Sequence, residues 1–394
     1  MEKINIKLIS QEFSDKYCGG AGVYAYELSK ALVRANLPIQ IIIPSDCKIG
    51  NKKIHKIKFL DCISIPLFRL PSFFISMVKK VKVDSKTIIH SNSYSGFPLI
   101  NKGIFLVTIH HPVLFDFPNF NFFQKLVSLP DLIIEKIITK KAKKIIAVSS
   151  STKKLLLKLY PNLTEKTTVI LEGVDTNLFK PTKSRISKKI KNSEEDILIF
   201  FPGGSRSKRK GAEVALKALK KLKKNDIKFT CIISGANREI GWEKELSIKI
   251  NKNKLSKNIL CVGELDYKDL PKYYSACDIT IFPSLFEGFG IPILESMACK
   301  IPIIASKTGE AENIIKNDKN GILIDIGNST QLYDAILRLS KSRKLRKRIG
   351  TLGRKSILEY YSWNKIAKKY IKLYKEVLSE HNQKIKEETK NETK

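Results

Sequence analysis

Along the chain, short apolar runs alternate with stretches in which apolar positions recur every three or four residues. Residues 4–10 and 39–43 read as strands, and between them Tyr24, Ala25, Leu28, Ala31, Leu32 and Ala35 mark one face of a helix. Residues 88–90 and 104–110 are further strands ending in polar residues, 126–139 has helical spacing, and 145–151 joins an apolar strand to a serine turn. After a polar, lysine-rich stretch at 180–195 the alternation restarts. Residues 197–201, 230–234, 259–263, 279–282, 301–305 and 321–324 read as strands, with amphipathic segments such as Val214, Leu216, Ala218, Leu219 and Leu222 between them. Apolar strands alternating with helices imply parallel sheets covered on both faces. Two such blocks imply two doubly wound α/β domains, with a hinge at 180–195 and a cleft where ligands are usually held. Residues 337–361 and 366–378 are helical, whereas 381–394 holds Ile385 as its only apolar residue and predicts a disordered tail.

Chemistry-bearing residues gather where strands end. After residues 279–282, Pro283 and Ser284 stop the strand, and Glu287 follows with Gly288, Phe289 and Gly290 behind it. Pro292 suits the first position of a helix, which places Glu295 in that helix's first turn. Loops at the carboxyl ends of parallel strands are where open α/β sheets bind ligands. A carboxylate only accepts hydrogen bonds, so its natural partner is a pair of hydroxyls, while a helix N-terminus suits a phosphate. Both in one place suggest a sugar phosphate or nucleotide sugar. A second loop, 202–211, carries Gly203, Gly204 and Gly211 with Arg206, Lys208, Arg209 and Lys210, an anion cradle between strand and helix. The Walker and nucleophile-elbow patterns fail there for want of glycine at 209 and at 207. Gly19, Gly20 and Gly22 precede the first helix without completing the dinucleotide fingerprint.

With its Glu-Gly-Phe-Gly context, the pair Glu287 and Glu295 resembles the E-x7-E signature of the family four retaining glycosyltransferases, of the two-domain GT-B fold. The resemblance runs from residue 4 to about 375. It implies an α/β architecture of two Rossmann-like domains facing a central cleft. Residues 1–180 form the acceptor side, 181–195 a linker and 196–360 the nucleotide-sugar-binding domain; 361–380 is a helix crossing back to the first domain. It implies that Glu287 lies against the donor sugar, with Gly288, Phe289 and Gly290 in the donor loop, and that Glu295 binds the nucleotide ribose. Gly19 and Gly20 would lie beside the diphosphate, and the base would rest on backbone near Val262 and Gly263. Thr108-Ile109-His110 matches the family's T-x-H, whose histidine faces the reacting sugar; His111 stands where the family usually has aspartate. In the family's G-R-x-x-x-x-K-G, Lys210 and Gly211 match, but Ser205 occupies the arginine position. Arg206, one place late, is carried over, with Arg209 as the lesser candidate. The implied activity moves a hexose-type sugar, with retention, from a nucleotide-diphosphate sugar to a glycan or lipid-linked acceptor in cell-surface polysaccharide or glycolipid synthesis. His110, Glu287, Arg206 and Lys210 form the catalytic set, with no cofactor and no metal. A phosphorylase or epimerase on the same fold is the alternative.

Composition adds a second partner. Against 38 acidic residues stand 72 basic ones, a net charge of +34, and such a field attracts polyanions. Only eleven of the basic residues are arginine, and lysine is spread through nearly every segment, so coding bias explains most of the excess. Between Lys136 and Lys158, however, no acid occurs, and Phe115, Phe117, Phe120, Phe122 and Phe123 lie just before, a pattern suited to an anionic membrane surface. No nucleic-acid reading motif is present, which ranks a basic nucleic-acid-binding protein low. The 7 cysteines form no C-x-x-C pair and no two aspartates stand two apart, so reduced thiols and no metal site are expected. The N-terminus has no signal-peptide core and no apolar run reaches the ~18 residues of a membrane span. These features predict a cytoplasmic protein, peripheral at the inner face of the membrane where that surface is engaged.

Overall fold

The apolar runs pair in parallel throughout. The structure, a computed structural model, describes residues 4–13, 20–47, 57–63, 66–116, 122–190, 193, 196–235 and 241–392. By internal packing the chain divides into two units, Met1–Glu172 with Trp363–Lys394, and Gly173–Ser362. The division therefore falls before the expected boundary at 180. The stretch read as a linker belongs with the second unit, where the Thr182 amide donates to Ser275 Oγ at 3.1 Å.

The first unit holds β1 (Ile6–Ile9), β2 (Ile39–Pro44), β3 (Ile57–Leu60), β4 (Ile88–Asn92), β5 (Ile104–Ile109), β6 (Lys144–Ala147) and β7 (Thr167–Val169). Their order is β3-β2-β1-β4-β5-β6-β7, so the winding reverses between β1 and β4. Successive strand residues point to opposite faces, and each face has its own cover. On one, Tyr24, Leu28 and Leu32 of helix Gly20–Arg34 and Ile366, Tyr370 and Tyr374 of helix Trp363–Glu392 pack on Ile6, Leu8, Ile41 and Ile88. On the other, helices Pro66–Lys80 and Phe122–Lys141 pack on Ile9, Ile42, Ile89, Val107 and Ile145.

A buried polar network fixes the C-terminal helix. Tyr24 Oη lies 2.6 Å from Tyr370 Oη and 2.9 Å from Thr108 Oγ1, while His90 bridges Thr108 and Tyr374, each at 2.7 Å. Burial pulls His90 down to about 3, so a neutral ring shares these bonds. A network satisfied in this way specifies one seating of the helix, because any other would leave several polar groups buried and unpaired.

The second unit holds β8 (Ile197–Phe201), β9 (Phe229–Ile233), β10 (Ile259–Cys261), β11 (Ile279–Phe282), β12 (Ile303–Ser306) and β13 (Ile322–Ile324), in the order β10-β9-β8-β11-β12-β13. Here the reversal lies between β8 and β11, with Thr280 opposite Phe200. The loops that leave these two strands therefore emerge side by side, at the position where doubly wound sheets hold ligands.

Two helical expectations change. Residues 337–361 are not one helix: Ser342 accepts from the Leu345 amide at 3.2 Å and caps a new helix, Arg343–Tyr360, after Ser329–Ser340 has ended. The expected disordered tail is instead helical through Glu392. Its lysines, glutamates and glutamine are good helix formers, and Lys384 meets Glu388 one turn on at 3.6 Å.

Candidate active site

Two backbone close approaches assemble the site of the second unit. Gly211 has φ +78 and starts helix Ala212–Lys224; a Cβ on it would lie 1.9 Å from the Pro283 carbonyl oxygen. The loop after β8 can thus touch the loop after β11, and the Leu285 amide donates to the Arg209 carbonyl at 2.8 Å. Gly309 has φ +60, and a Cβ there would lie 2.3 Å from the Phe289 carbonyl oxygen, which also accepts from the Glu310 amide at 2.9 Å. Sequence reading did not single out Thr308, Gly309 or Glu310, because only the sheet order brings the end of β12 beside that of β11.

Within this frame the Lys210 ammonium donates to Glu287 Oε1 at 2.7 Å, and both side chains are about nine-tenths buried. Burial opposes ionisation of Glu287, but Lys210 and Arg209 outweigh it and hold the carboxyl below its usual range. Burial also pulls the Lys210 ammonium below its ordinary value, against the attraction of Glu287, and Arg209 and Arg206 deepen the pull. Arg209 reaches the Phe286 carbonyl at 3.0 Å and Glu287 Oε2 at 3.5 Å, from an exposed position. Arg206 is buried, its side-chain carbons lying across Gly235. Ser205 braces the loop, because its hydroxyl donates to the Gly235 carbonyl at 2.6 Å and ties this segment to the end of β9. Gly235 in turn donates to the Gly263 carbonyl at 2.7 Å, and the Val262 amide donates to Ile233 at 2.9 Å. The residues expected to meet the base thus stand next to the cradle loop.

Helix Ile291–Ala298 starts on Gly290, at φ +108, with no capping side chain. Glu295 is its fifth residue rather than part of its first turn, and the residue is 2% exposed. Tyr274 donates to Oε2 at 2.7 Å while Oε1 has no partner among the described residues. Ser306 and Thr308 also carry buried hydroxyls without a partner among the described residues, both at the carboxyl end of β12. Buried polar atoms are ordinarily paired, so this cluster fits a polar ligand.

Burial pushes the Glu295 carboxyl up to about 7, against the Tyr274 hydrogen bond and the Lys210 charge. The unfolded chain, with the ordinary value of 4.5, holds fewer protons than the folded one between these limits. The stability from this group is therefore complete below 4.5 and lost as pH rises to about 7, on the order of 3 kcal/mol. Urea unfolding of wild type and Glu295→Gln should diverge over that window, the wild type losing stability relative to the variant. Parallel pH profiles would show Glu295 already ionised throughout.

In the first unit, His110 follows β5 with both ring nitrogens engaged. Asn92 Nδ2 donates to Ser10 Oγ at 2.8 Å and to the Ala21 carbonyl at 3.0 Å, which leaves its Oδ1 to accept from His110 Nε2 at 2.8 Å. Nδ1 lies 3.0 Å from Glu172 Oε1, and Glu172 Oε2 is buried without a partner among the described residues. Neither Asn92 nor Glu172 was foreseen, since no local spacing links them to residue 110. Gly20 begins helix Gly20–Arg34; Gly19, Phe117 and Phe120 lie outside the described residues. Among the described residues no cluster of three His, Cys, Asp or Glu could hold a metal, and no helix is long and apolar enough to cross a membrane.

The sequence pattern described as "Glycosyl transferases group 1" matches residues 182–356, and that of "Glycosyltransferase Family 4" matches 18–178. An uncharacterized glycosyltransferase of Methanocaldococcus jannaschii is 24% identical, over 94% of this chain and 98% of its own. An MMP alpha-(1->4)-mannosyltransferase of Mycolicibacterium hassiacum is 23% identical, over 95% and 99%. Among solved structures, sucrose-phosphate synthase from Thermosynechococcus elongatus superposes with a TM-score of 0.78 at 22% identity, over 95% of this chain and 99% of that one. The Anabaena protein HepE, in complex with UDP and glucose, gives 0.75 at 20% identity, over 94% and 99%.

Proposed function

The chain belongs to the group 1 glycosyltransferases of family four and has the GT-B fold, and on that premise we propose that it moves a hexose-type sugar, with retention, from a nucleotide-diphosphate sugar to a glycan or lipid-linked acceptor. The observation that carries the reading is the buried Lys210–Glu287 pair at the reversal point of the sheet, set beside a Glu295 oxygen and hydroxyls at the end of β12 without a partner among the described residues. A buried carboxylate with a free lone pair suits sugar or ribose hydroxyls, which donate to it. The cations suit a leaving diphosphate. As the bond from the anomeric carbon to the diphosphate oxygen lengthens, negative charge grows on the leaving group. Lys210, Arg206 and the open N-terminus of helix Ala212–Lys224 stabilise that charge in place of a divalent ion. Glu287 orients the donor hydroxyls, and the ring gains oxocarbenium character before the acceptor hydroxyl attacks from the same face. His110 has the role of sensing the sugar or acceptor. The UDP and glucose of the Anabaena relative, and the hexose named in the mannosyltransferase relative, support a nucleotide-hexose donor. The reading also carries a cytoplasmic setting and a product in cell-surface glycan or glycolipid synthesis.

The test is slow hydrolysis of a panel of nucleotide sugars without acceptor, followed by NMR. One donor should be consumed, the released sugar should first appear with its anomeric configuration retained, and a chelator should leave the rate unchanged. Consumption that requires inorganic phosphate would point to a phosphorylase. Loss of turnover on chelation, restored by Mg²⁺ or Mn²⁺, would refute the basic loop as the leaving-group clamp.

A further inference from the structure

Four large apolar side chains left facing water lie on two helices of the first unit. Ile75 is 58% exposed, Val78 49%, Leu129 43% and Ile133 50%. The helices that carry them, Pro66–Lys80 and Phe122–Lys141, cover one and the same face of the seven-stranded sheet, since Phe73, Met77, Ile138 and Ala142 join a single core. Residues three, four and seven apart share a side of a helix, so Pro71, Ile75 and Val78 form one exposed stripe and Leu129, Ile133, Lys136 and Lys140 another. Both helices end in exposed lysines, Lys79 with Lys80 and Lys140 with Lys141, and exposed Lys82 and Lys102 stand in the turns before β4 and β5.

The charges beside these stripes are uneven. Lys80 meets Asp61, and Lys143 and Lys144 meet Glu380, whereas Lys79, Lys82, Lys102, Lys136 and Lys140 make no ion pair among the described residues. The acids on the two helices do not offset them. Glu135 is buried and accepts from Tyr94, Tyr160 and the Val113 amide, and Asp131 is half-buried. Lysine-rich coding accounts for the charge but not for isoleucine, valine and leucine grouped beside it on one face.

We propose that this face is an interface for an anionic lipid surface, with the two apolar stripes entering the headgroup region and the lysines meeting lipid phosphates. Helices that lie in a membrane plane show this combination of apolar stripe and lysine flank, and lysine stems can lie along apolar surface while the ammonium stays with the phosphates. Relative to the sequence reading, the structure brings in helix Pro66–Lys80 and removes Lys143 and Lys144, which already have a partner. The proposal stands apart from the transferase reading, and its test needs no sugar donor.

The full chain is sedimented with vesicles of phosphatidylcholine alone or with about one-third phosphatidylglycerol, at low and high salt. Binding should be at least about tenfold tighter to the anionic vesicles and should weaken with salt. Ile75→Glu with Ile133→Glu, and separately Lys136→Ala with Lys140→Ala, should each weaken it by about tenfold or more. Ile248→Glu, an equally exposed site in the second unit, should leave it unchanged. Equal affinity for neutral and anionic vesicles, isoleucine variants that bind like wild type, or the same loss in Ile248→Glu would overturn the proposal. Circular dichroism checks each variant's fold; should the isoleucine pair fail to fold, the lysine pair, at exposed positions, decides.

Discussion

Lys210→Ala should lower kcat/KM for sugar transfer about 30- to 1000-fold, or ~2–4 kcal/mol in the barrier, the scale for one preorganised transition-state donor. The ammonium is buried, 2.7 Å from Glu287 and 5.2 Å from the centre of the Phe282 ring, so it acts at low dielectric where a single charge counts most. The substitution has a second consequence. It leaves the Glu287 carboxylate buried with Arg209 as its remaining ionic contact, at 3.5 Å, and an unpaired buried charge destabilises strongly. The two effects separate in a double variant: Lys210→Ala with Glu287→Gln should recover stability over the single variant without recovering activity. Activity within a few-fold of wild type in Lys210→Ala would remove Lys210 from the chemistry.

Gly211→Ala should cost at least ~3 kcal/mol of stability, because the new methyl carbon would sit 1.9 Å from a backbone oxygen at a positive φ. Neither atom belongs to a flexible side chain, so the two loops must part, and the Lys210–Glu287 pair parts with them. Gly263→Ala is the control: its φ is +66, yet nothing lies within 4 Å of the added carbon, so only backbone strain of about 1 kcal/mol applies. Chemical denaturation of both variants checks the difference. Equal losses would mean that the close approach at Gly211 is not what holds the loops together.

What the sequence showed and what it hid have physical reasons. β8 and β11 were legible because strands buried on both faces are apolar at every position, as in Ile197–Phe201 and Ile279–Phe282. β3 was not read: as a half-buried edge strand, Ile-Lys-Phe-Leu, it has too little contrast to stand out. Helix Pro66–Lys80 was hidden by Pro71 within it. In the site, Lys210, Glu287 and Glu295 were legible through their motif context, and the structure shows Lys210 and Glu287 in contact. The arginine position stayed ambiguous: Ser205 stands at the motif position and is bound to the Gly235 carbonyl, while Arg206 is buried and Arg209 exposed on either side of the choice. Tyr274, Asn92 and Glu172 were beyond reach because they meet Glu295 and His110 through tertiary packing rather than through spacing along the chain.

The bond between Tyr24 and Tyr370 joins residues 346 positions apart, and that distance dictates an order of assembly during synthesis. The second unit is one continuous stretch, Gly173–Ser362, and has its whole core as soon as it leaves the ribosome. The first unit does not. Its sheet emerges early but lacks Ile366, Tyr370 and Tyr374 until all of Gly173–Ser362 has been made, a delay on the order of 10–40 s at about 5–20 residues per second. Through that interval one face of a seven-stranded sheet is missing part of its cover, whereas the later-made unit has every residue of its own core to hand.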